Sequence, residues 1–231
     1  MPSVAQEIFG ARLDLAVTYA DLLATEGVDR GLLGPREAPR LWQRHLLNCA
    51  VVAGLVPENA DVCDLGSGAG LPGLVLAICR PDLALTLVEP LLRRTSFLTE
   101  TADRLGLPNV EVVRARAEEL HGAREFTVVT SRAVAPLPRL LAWSMPLVRR
   151  DGQLLAMKGT SAADELAGAS ADLSRWGATG ADVLEVGRHV ITPPTTVIRA
   201  AATGEPQIGW TSDRAATIGG GRRSQRRGWR T

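Results

Sequence analysis

Residues 62–73 read Val62-Cys63-Asp64-Leu65-Gly66-Ser67-Gly68-Ala69-Gly70-Leu71-Pro72-Gly73, a short apolar run breaking into glycines. Where a strand ends in glycines ahead of a helix, the backbone can approach a bound nucleotide-like ligand closely. Glu89 follows Gly66 by 23 residues, at the end of Leu87-Val88-Glu89-Pro90. A carboxylate at that place can accept both hydroxyls of a ribose. Further on, Ala115-Arg116-Ala117-Glu118-Glu119 offers acids that could accept from a ligand's amino group. Groups that move protons are scarce: the histidines are His45, His121 and His189, the lysine is Lys158 and the tyrosine Tyr19. None forms a familiar Tyr/Lys or His/Asp spacing, so the motif points to holding a nucleoside rather than to general-base chemistry.

The elements needed to position these groups follow from periodicity. Residues 3–26 and 37–54 repeat apolar side chains near every 3.6 positions and are expected to be helices, separated by a loop rich in glycine and proline. From there the pattern alternates. Strands are expected at 61–65, 84–89, 110–114, 125–131 and 152–158, and helices at 72–80, 91–106, 136–149 and 162–176. Such order implies an α/β, doubly wound, mostly parallel sheet covered on both faces. Two final runs, 182–190 and 195–203, are joined by Thr192-Pro193-Pro194, too short for a crossover helix, and should form an antiparallel hairpin at the sheet edge. Three regions are expected: an N-terminal helical extension (1–60), a ligand-binding domain (61–204) and a basic, disordered tail (205–231).

Composition narrows the class. With 45% apolar and 22% charged residues among 231, general disorder is excluded. The longest apolar run, Leu46 to Val56, is interrupted by Asn48 and too short for a membrane span, and the N-terminus lacks the basic-then-apolar order of a signal peptide. Cys49, Cys63 and Cys79 have neither disulfide-framework nor zinc spacing, so no metal is expected. A soluble, intracellular, cytoplasmic protein is the expectation. Net charge is +1, but residues 219–231 carry Arg222, Arg223, Arg226, Arg227 and Arg230 with no acid, a block of the kind that meets polyanions.

Two ligands fit the glycine loop. Gly68-x-Gly70-x-x-Gly73 matches a dinucleotide fingerprint, whereas Asp64-x-Gly66-x-Gly68-x-Gly70 matches the S-adenosylmethionine loop of class I (Rossmann-like) methyltransferases. The missing proton-handling group disfavours a nicotinamide-dependent oxidoreductase. A non-catalytic RNA-binding or ribosome-assembly protein on a methyltransferase fold is a further reading, disfavoured by the intact loop with Glu89 and Glu118.

Longer strings resemble one family. Leu41-Trp42-Gln43-Arg44-His45-Leu46-Leu47-Asn48, Glu89-Pro90-Leu91-Leu92-Arg93-Arg94, Ser131-Arg132-Ala133-Val134-Ala135 and Met157-Lys158-Gly159 are similar to the ribosomal RNA small subunit methyltransferase G family, also called glucose-inhibited division protein B. The likeness runs from about residue 8 to 203 and is closest to actinobacterial members. It implies transfer of a methyl group from S-adenosyl-L-methionine to N7 of guanine 527 in the 530 loop of 16S rRNA, with the small ribosomal subunit as partner and a monomeric enzyme. It further implies cofactor contacts at Gly66, Leu71, Ala117, Glu118 and Arg132, beside those expected at Asp64, Gly68, Gly70 and Glu89. Many members carry an Asn-Leu-Thr segment where this chain reads Leu32-Leu33-Gly34-Pro35.

Guanine N7 is unprotonated at neutral pH, so this transfer needs alignment and no general base. Arginine commonly reads guanine through O6 and N7 together, which would occupy the nucleophilic lone pair. Arg132 is therefore expected to align cofactor and base without touching N7. RNA contacts are expected at Arg44, His45, Arg93, Arg94 and Lys158, and along the tail at Arg222, Arg223, Arg226 and Arg227.

Overall fold

The computed structural model describes residues 1–204. Seven strands form one sheet: β1 (Asp61–Leu65), β2 (Ala84–Val88), β3 (Val110–Val113), β4 (Phe126–Arg132), β5 (Val148–Lys158), β6 (Gly180–Val186) and β7 (Thr195–Ala201), in the order β3-β2-β1-β4-β5-β7-β6. The first five pair in parallel, and β7 runs antiparallel to both β5 and β6. The terminal hairpin therefore forms as expected, with β6 as the edge and β7 seated inside it. In register, Leu65 stands opposite Val88 and Asp64 opposite Thr130, so the residues after β1, β2 and β4 emerge together at the carboxyl edge.

The central strands β1, β2, β4 and the second half of β5 feed both faces, which is why their sequences are largely apolar. Val62, Leu85, Leu87, Val128 and Leu155 pack in one cluster with the N-terminal segment, α4 (Gly73–Cys79) and α5 (Leu92–Leu105). Cys63, Leu65, Val129, Leu154 and Ala156 pack on the other face with α7 (Leu137–Ser144) and the helices after β5. The N-terminal segment comprises α1 (Val4–Phe9), α2 (Leu13–Leu22) and a tight succession of turns around α3 (Asn48–Ala50). Among the described residues, no helix is long and apolar enough to cross a membrane.

Several helices are shorter than periodicity predicts. The expected helix over 3–26 is interrupted at Gly10, whose φ is 50°. The one over 37–54 becomes 3₁₀ and π-type turns, with Pro39 inside the first, where it removes a backbone donor. Pro146 ends α7 early, and residues 148–149, expected as helix, open β5 instead. Gly168 and Ala169 divide the helix over 162–176 into α8 (Ala162–Gly168) and α9 (Ser170–Arg175). A one-turn helix, α6 (Ala117–Leu120), escapes a periodicity reading because it is shorter than the repeat needs.

Candidate active site

The glycine turn is built from β1 outward. Gly66 and Ser67 donate their N–H groups to the Val88 carbonyl at 2.8 and 3.2 Å, which ties the turn to β2. Gly66 has φ 72°, and a Cβ there would stand 2.8 Å from Val134 Cγ2, so a side chain is excluded on two counts. Asp64 is fully buried and accepts the Gly73 N–H at 2.9 Å through Oδ2. A Cβ on Gly73 would lie 2.6 Å from that same oxygen. Asp64 thus ties strand β1 to the first residue of α4. Its Oδ1 is buried without a hydrogen-bond partner among the described residues. Burial accordingly outweighs the Gly73 donor and pushes the carboxyl up to about 7. From beneath, the buried Tyr19 hydroxyl of α2 donates to the Ala69 carbonyl at 2.8 Å.

The turn forms one wall of a cavity of about 490 Å³ at the carboxyl edge of the sheet, in the size range usual for small-ligand sites. Glu89, only 1% exposed, accepts the Gly68 N–H through Oε2 and the Leu91 N–H through Oε1, both at 3.1 Å. Arg94 lies 3.3 Å from Glu89 Oε2. Ala115, Ala117 and the exposed Glu118 stand at another side, and Glu119 caps α6 by accepting the Arg116 N–H at 2.8 Å. Leu32 and Leu33, from the segment that departs from the family's Asn-Leu-Thr, line part of the same cavity. A glycine cradle in which a Cβ at Gly66, Gly70 or Gly73 would collide, apolar walls and two carboxylates fit a nucleoside carrying a cationic centre.

A second pocket, of about 630 Å³, adjoins the first and shares Arg132, Ala133 and Val134 with it. Ala133 has φ 55°, an unusual backbone state for a non-glycine residue, at the turn between the two. Arg132 is held from both ends: it donates to the Arg44 carbonyl at 3.2 Å and to His45 Nδ1 at 2.8 Å. Across the pocket, Lys158 donates to the Ala135 carbonyl at 2.8 Å and to Glu165 Oε2 at 2.7 Å. Burial opposes the Glu165 carboxylate, but the Lys158 and Ser161 donors prevail and hold it below its ordinary range. Asn48 and Thr195 meet through Asn48 Nδ2 to Thr195 Oγ1 at 2.8 Å.

Of the residues singled out from sequence, Gly66, Gly68, Leu71, Glu89, Ala117, Glu118 and Arg132 line the first cavity, and Arg44, His45 and Lys158 line the second. Asp64 and Gly70 line neither and shape the turn from behind. Two placements differ from expectation. Lys158, with 9% of its side chain exposed, is consumed by Glu165 and the Ala135 carbonyl, because so buried an ammonium requires an anionic partner. Arg94 faces Glu89 in the first cavity, drawn there by the buried carboxylate, while its neighbour Arg93 is exposed and lines neither pocket. Arg222, Arg223, Arg226 and Arg227 lie outside the described residues. Sequence reasoning missed Tyr19, Leu32, Leu33, Glu37, Glu165 and Thr195. Tyr19 and Thr195 meet partners far along the chain, whereas Glu37 and Glu165 meet near neighbours through spacings that match no motif.

A sheet of this order, with a glycine turn after β1 and a carboxylate after β2, defines a class I methyltransferase. The fold is similar to a solved S-adenosylmethionine-dependent O-methyltransferase from Thermotoga maritima (TM-score 0.57, 12% identity, covering 74% of this chain and 72% of the other). It is also similar to a predicted O-methyltransferase from Agrobacterium tumefaciens (TM-score 0.52, 19% identity, 68% and 79%). Residues 12–190 match the model of the rRNA small subunit methyltransferase G family, and the chain belongs to that family. Relatives called ribosomal RNA small subunit methyltransferase G include one from Nocardioides sp., 58% identical over 91% of this chain and 84% of its own length. Another, from Streptomyces coelicolor, is 53% identical over 99% and 96%. The chain is therefore a methyltransferase with S-adenosylmethionine as its cofactor, and of the two readings of the glycine loop the nicotinamide one falls.

Proposed function

We propose that this enzyme methylates N7 of guanine 527 in the 530 loop of 16S rRNA, acting as a monomer on the small ribosomal subunit in the cytoplasm. The observation that carries the reading is the shared wall of Arg132, Ala133 and Val134 between the two adjacent cavities. A cofactor in the first and a guanine in the second would meet across it.

S-adenosylmethionine, when bound, supplies an electrophilic methyl group. The chain's own task is then placement. Gly66, Gly68 and Leu71 form the cradle, Glu89 takes the ribose hydroxyls, and Glu118 takes the adenine amino group. Arg132, fixed by His45 and the Arg44 carbonyl, presents a guanidinium at the boundary, where O6 or a phosphate is its partner and N7 stays free. No side chain need accept a proton, which suits a site whose one histidine is already engaged on both ring nitrogens. Folded loop RNA is recognised by shape and by splayed bases, and a recessed pocket of this size admits one base.

The test uses isotopically labelled S-adenosylmethionine with small subunits lacking the modification. Methyl incorporation is counted, and the site is mapped by chemical cleavage at 7-methylguanosine. One stop, at guanine 527, is expected. Incorporation at another base would retain the methyltransferase and discard this target.

A further inference from the structure

Arg132 is held by a chain of contacts that begins on the surface of the N-terminal segment. Glu37 Oε2 lies 2.9 Å from His45 Nε2, and Glu37 Oε1 takes the Arg44 guanidinium at 3.2 Å. His45, 9% exposed, turns its other nitrogen, Nδ1, to the Arg132 guanidinium at 2.8 Å. A guanidinium has only donors, so Nδ1 must accept and the imidazole must carry its single proton on Nε2. A carboxylate has only acceptors, so Glu37 accepts that Nε2–H and stabilises the same tautomer from the other side of the ring.

We propose that Glu37 is a positioning residue for methyl transfer: it holds His45 in the Nε2–H tautomer, and that tautomer fixes Arg132 at the boundary of the two pockets. The logic parallels the carboxylate that orients a catalytic histidine in hydrolase triads, where loss of the carboxylate leaves the geometry but selects the wrong tautomer. Here the histidine moves no proton. It serves as an acceptor that keeps a cation in place.

The groups facing His45 agree with a neutral ring. Burial and the Arg132 charge, with Arg44 adding to them, press its basicity below the ordinary 6.5, while Glu37 alone works the other way. The buried Cys49 thiol close to Arg132 is pushed up to about 11 and stays neutral. Lys158 across the second pocket is neutralised by Glu165. Once His45 is protonated, both nitrogens donate, the Nδ1 contact becomes repulsive and Arg132 is released. Turnover should therefore fall as the pH drops through the His45 pKa.

The inference rests on the rRNA reading for its kinetic arm and has a second arm independent of substrate. Proton–nitrogen correlation spectra of the imidazoles, with three histidines in the chain and His45→Asn to assign the signal, report the tautomer directly. Wild-type protein should show Nε2 protonated and Nδ1 accepting at pH 7.5, and Glu37→Ala should lose that pattern. In methyl transfer to small subunits, Glu37→Ala should lower kcat about tenfold with affinity for S-adenosylhomocysteine within about twofold. Its acid limb should move to lower pH, since the one group raising His45 is gone. His45→Asn, which keeps an acceptor near the Nδ1 position, should retain more activity than His45→Ala. An Nδ1–H tautomer in the wild type, or a Glu37→Ala enzyme with unaltered kcat and acid limb, would overturn the proposal. A wild type that methylates no 16S rRNA would defeat the target reading, and the tautomer would still decide the role of Glu37.

Discussion

Tyr19→Phe removes one oxygen and leaves every apolar contact of the ring, which makes it a clean measure of how firmly α2 grips the glycine turn. The hydroxyl donates to the Ala69 carbonyl at 2.8 Å, and both residues are buried. A net hydrogen bond between neutral groups contributes about 0.5–1.5 kcal/mol, but the carbonyl left behind is shut away from water and costs its desolvation, about 1–3 kcal/mol. The larger range applies because phenylalanine offers no substitute donor. For a chain of this length each kcal/mol lowers Tm by about 2–4 °C, so a fall of about 2–12 °C is expected. Urea unfolding followed by tryptophan fluorescence should show a lower midpoint with an unchanged slope. The Ala69 carbonyl belongs to the turn that lines the first cavity, the proposed cofactor site, so titration with S-adenosylhomocysteine should give about a 2- to 5-fold weaker Kd, equivalent to about 0.4–1 kcal/mol of lost preorganisation. A variant unfolding within about 0.3 kcal/mol of wild type would refute the premise that this hydroxyl holds the turn.

Glu89→Gln should weaken S-adenosylhomocysteine binding by about 10- to 100-fold by calorimetry, since hydrogen bonds to a charged group are worth about 1.5–3 kcal/mol; an unchanged Kd would remove Glu89 from the cofactor site. Asp64, raised to about 7 from an ordinary 3.8, keeps in the native state a proton that the unfolded chain has lost, so its contribution to stability falls as pH rises between those values. Urea melts at pH 4 and pH 7 should show that Asp64→Asn, relative to wild type, gains stability at the higher pH, and equal differences at both would contradict the burial argument. Lys158→Met should destabilise by about 1–3 kcal/mol, less than for a fully buried pair because Glu165 is a quarter exposed. The salt slope of its RNA binding should match wild type, and a flatter slope would restore Lys158 as a phosphate contact.

The sheet and the cofactor turn were legible because both are written in consecutive residues. A strand buried on both faces is a short apolar run, and Asp64 to Gly73 carries its spacing within ten positions. The helices were less legible where one residue overrode a period: Gly10 and Pro146 each end a helix that the apolar repeat would continue, and Pro39 sits inside a 3₁₀ segment where an α-helix was expected. The start of β5 stayed hidden because Arg149, Arg150 and Asp151 are exposed and polar and fall in the irregularity of the β4–β5 pairing between Val148 and Gln153, where Asp151 has φ 62°. The polar network was the least legible part. Glu37 and His45 are eight residues apart, but their common target, Arg132, is 87 residues beyond His45, and only the folded chain brings them together.

The seating of β7 between β5 and β6 has a consequence for how the enzyme is made. A chain leaving the ribosome delivers β6 before β7, although β7 takes the place beside β5. Until residue 195 has emerged, β5 is an unpaired edge, the kind of surface at which nascent chains mispair. All residues lining the first cavity lie between 32 and 143, so they are synthesised before that closure. The second pocket draws on Met157, Lys158, Glu165 and Thr195, and Thr195 is fastened to Asn48 at the opposite end of the chain. The first cavity can thus assemble early, whereas the second pocket waits for the segments around Asn48 and Thr195 to join.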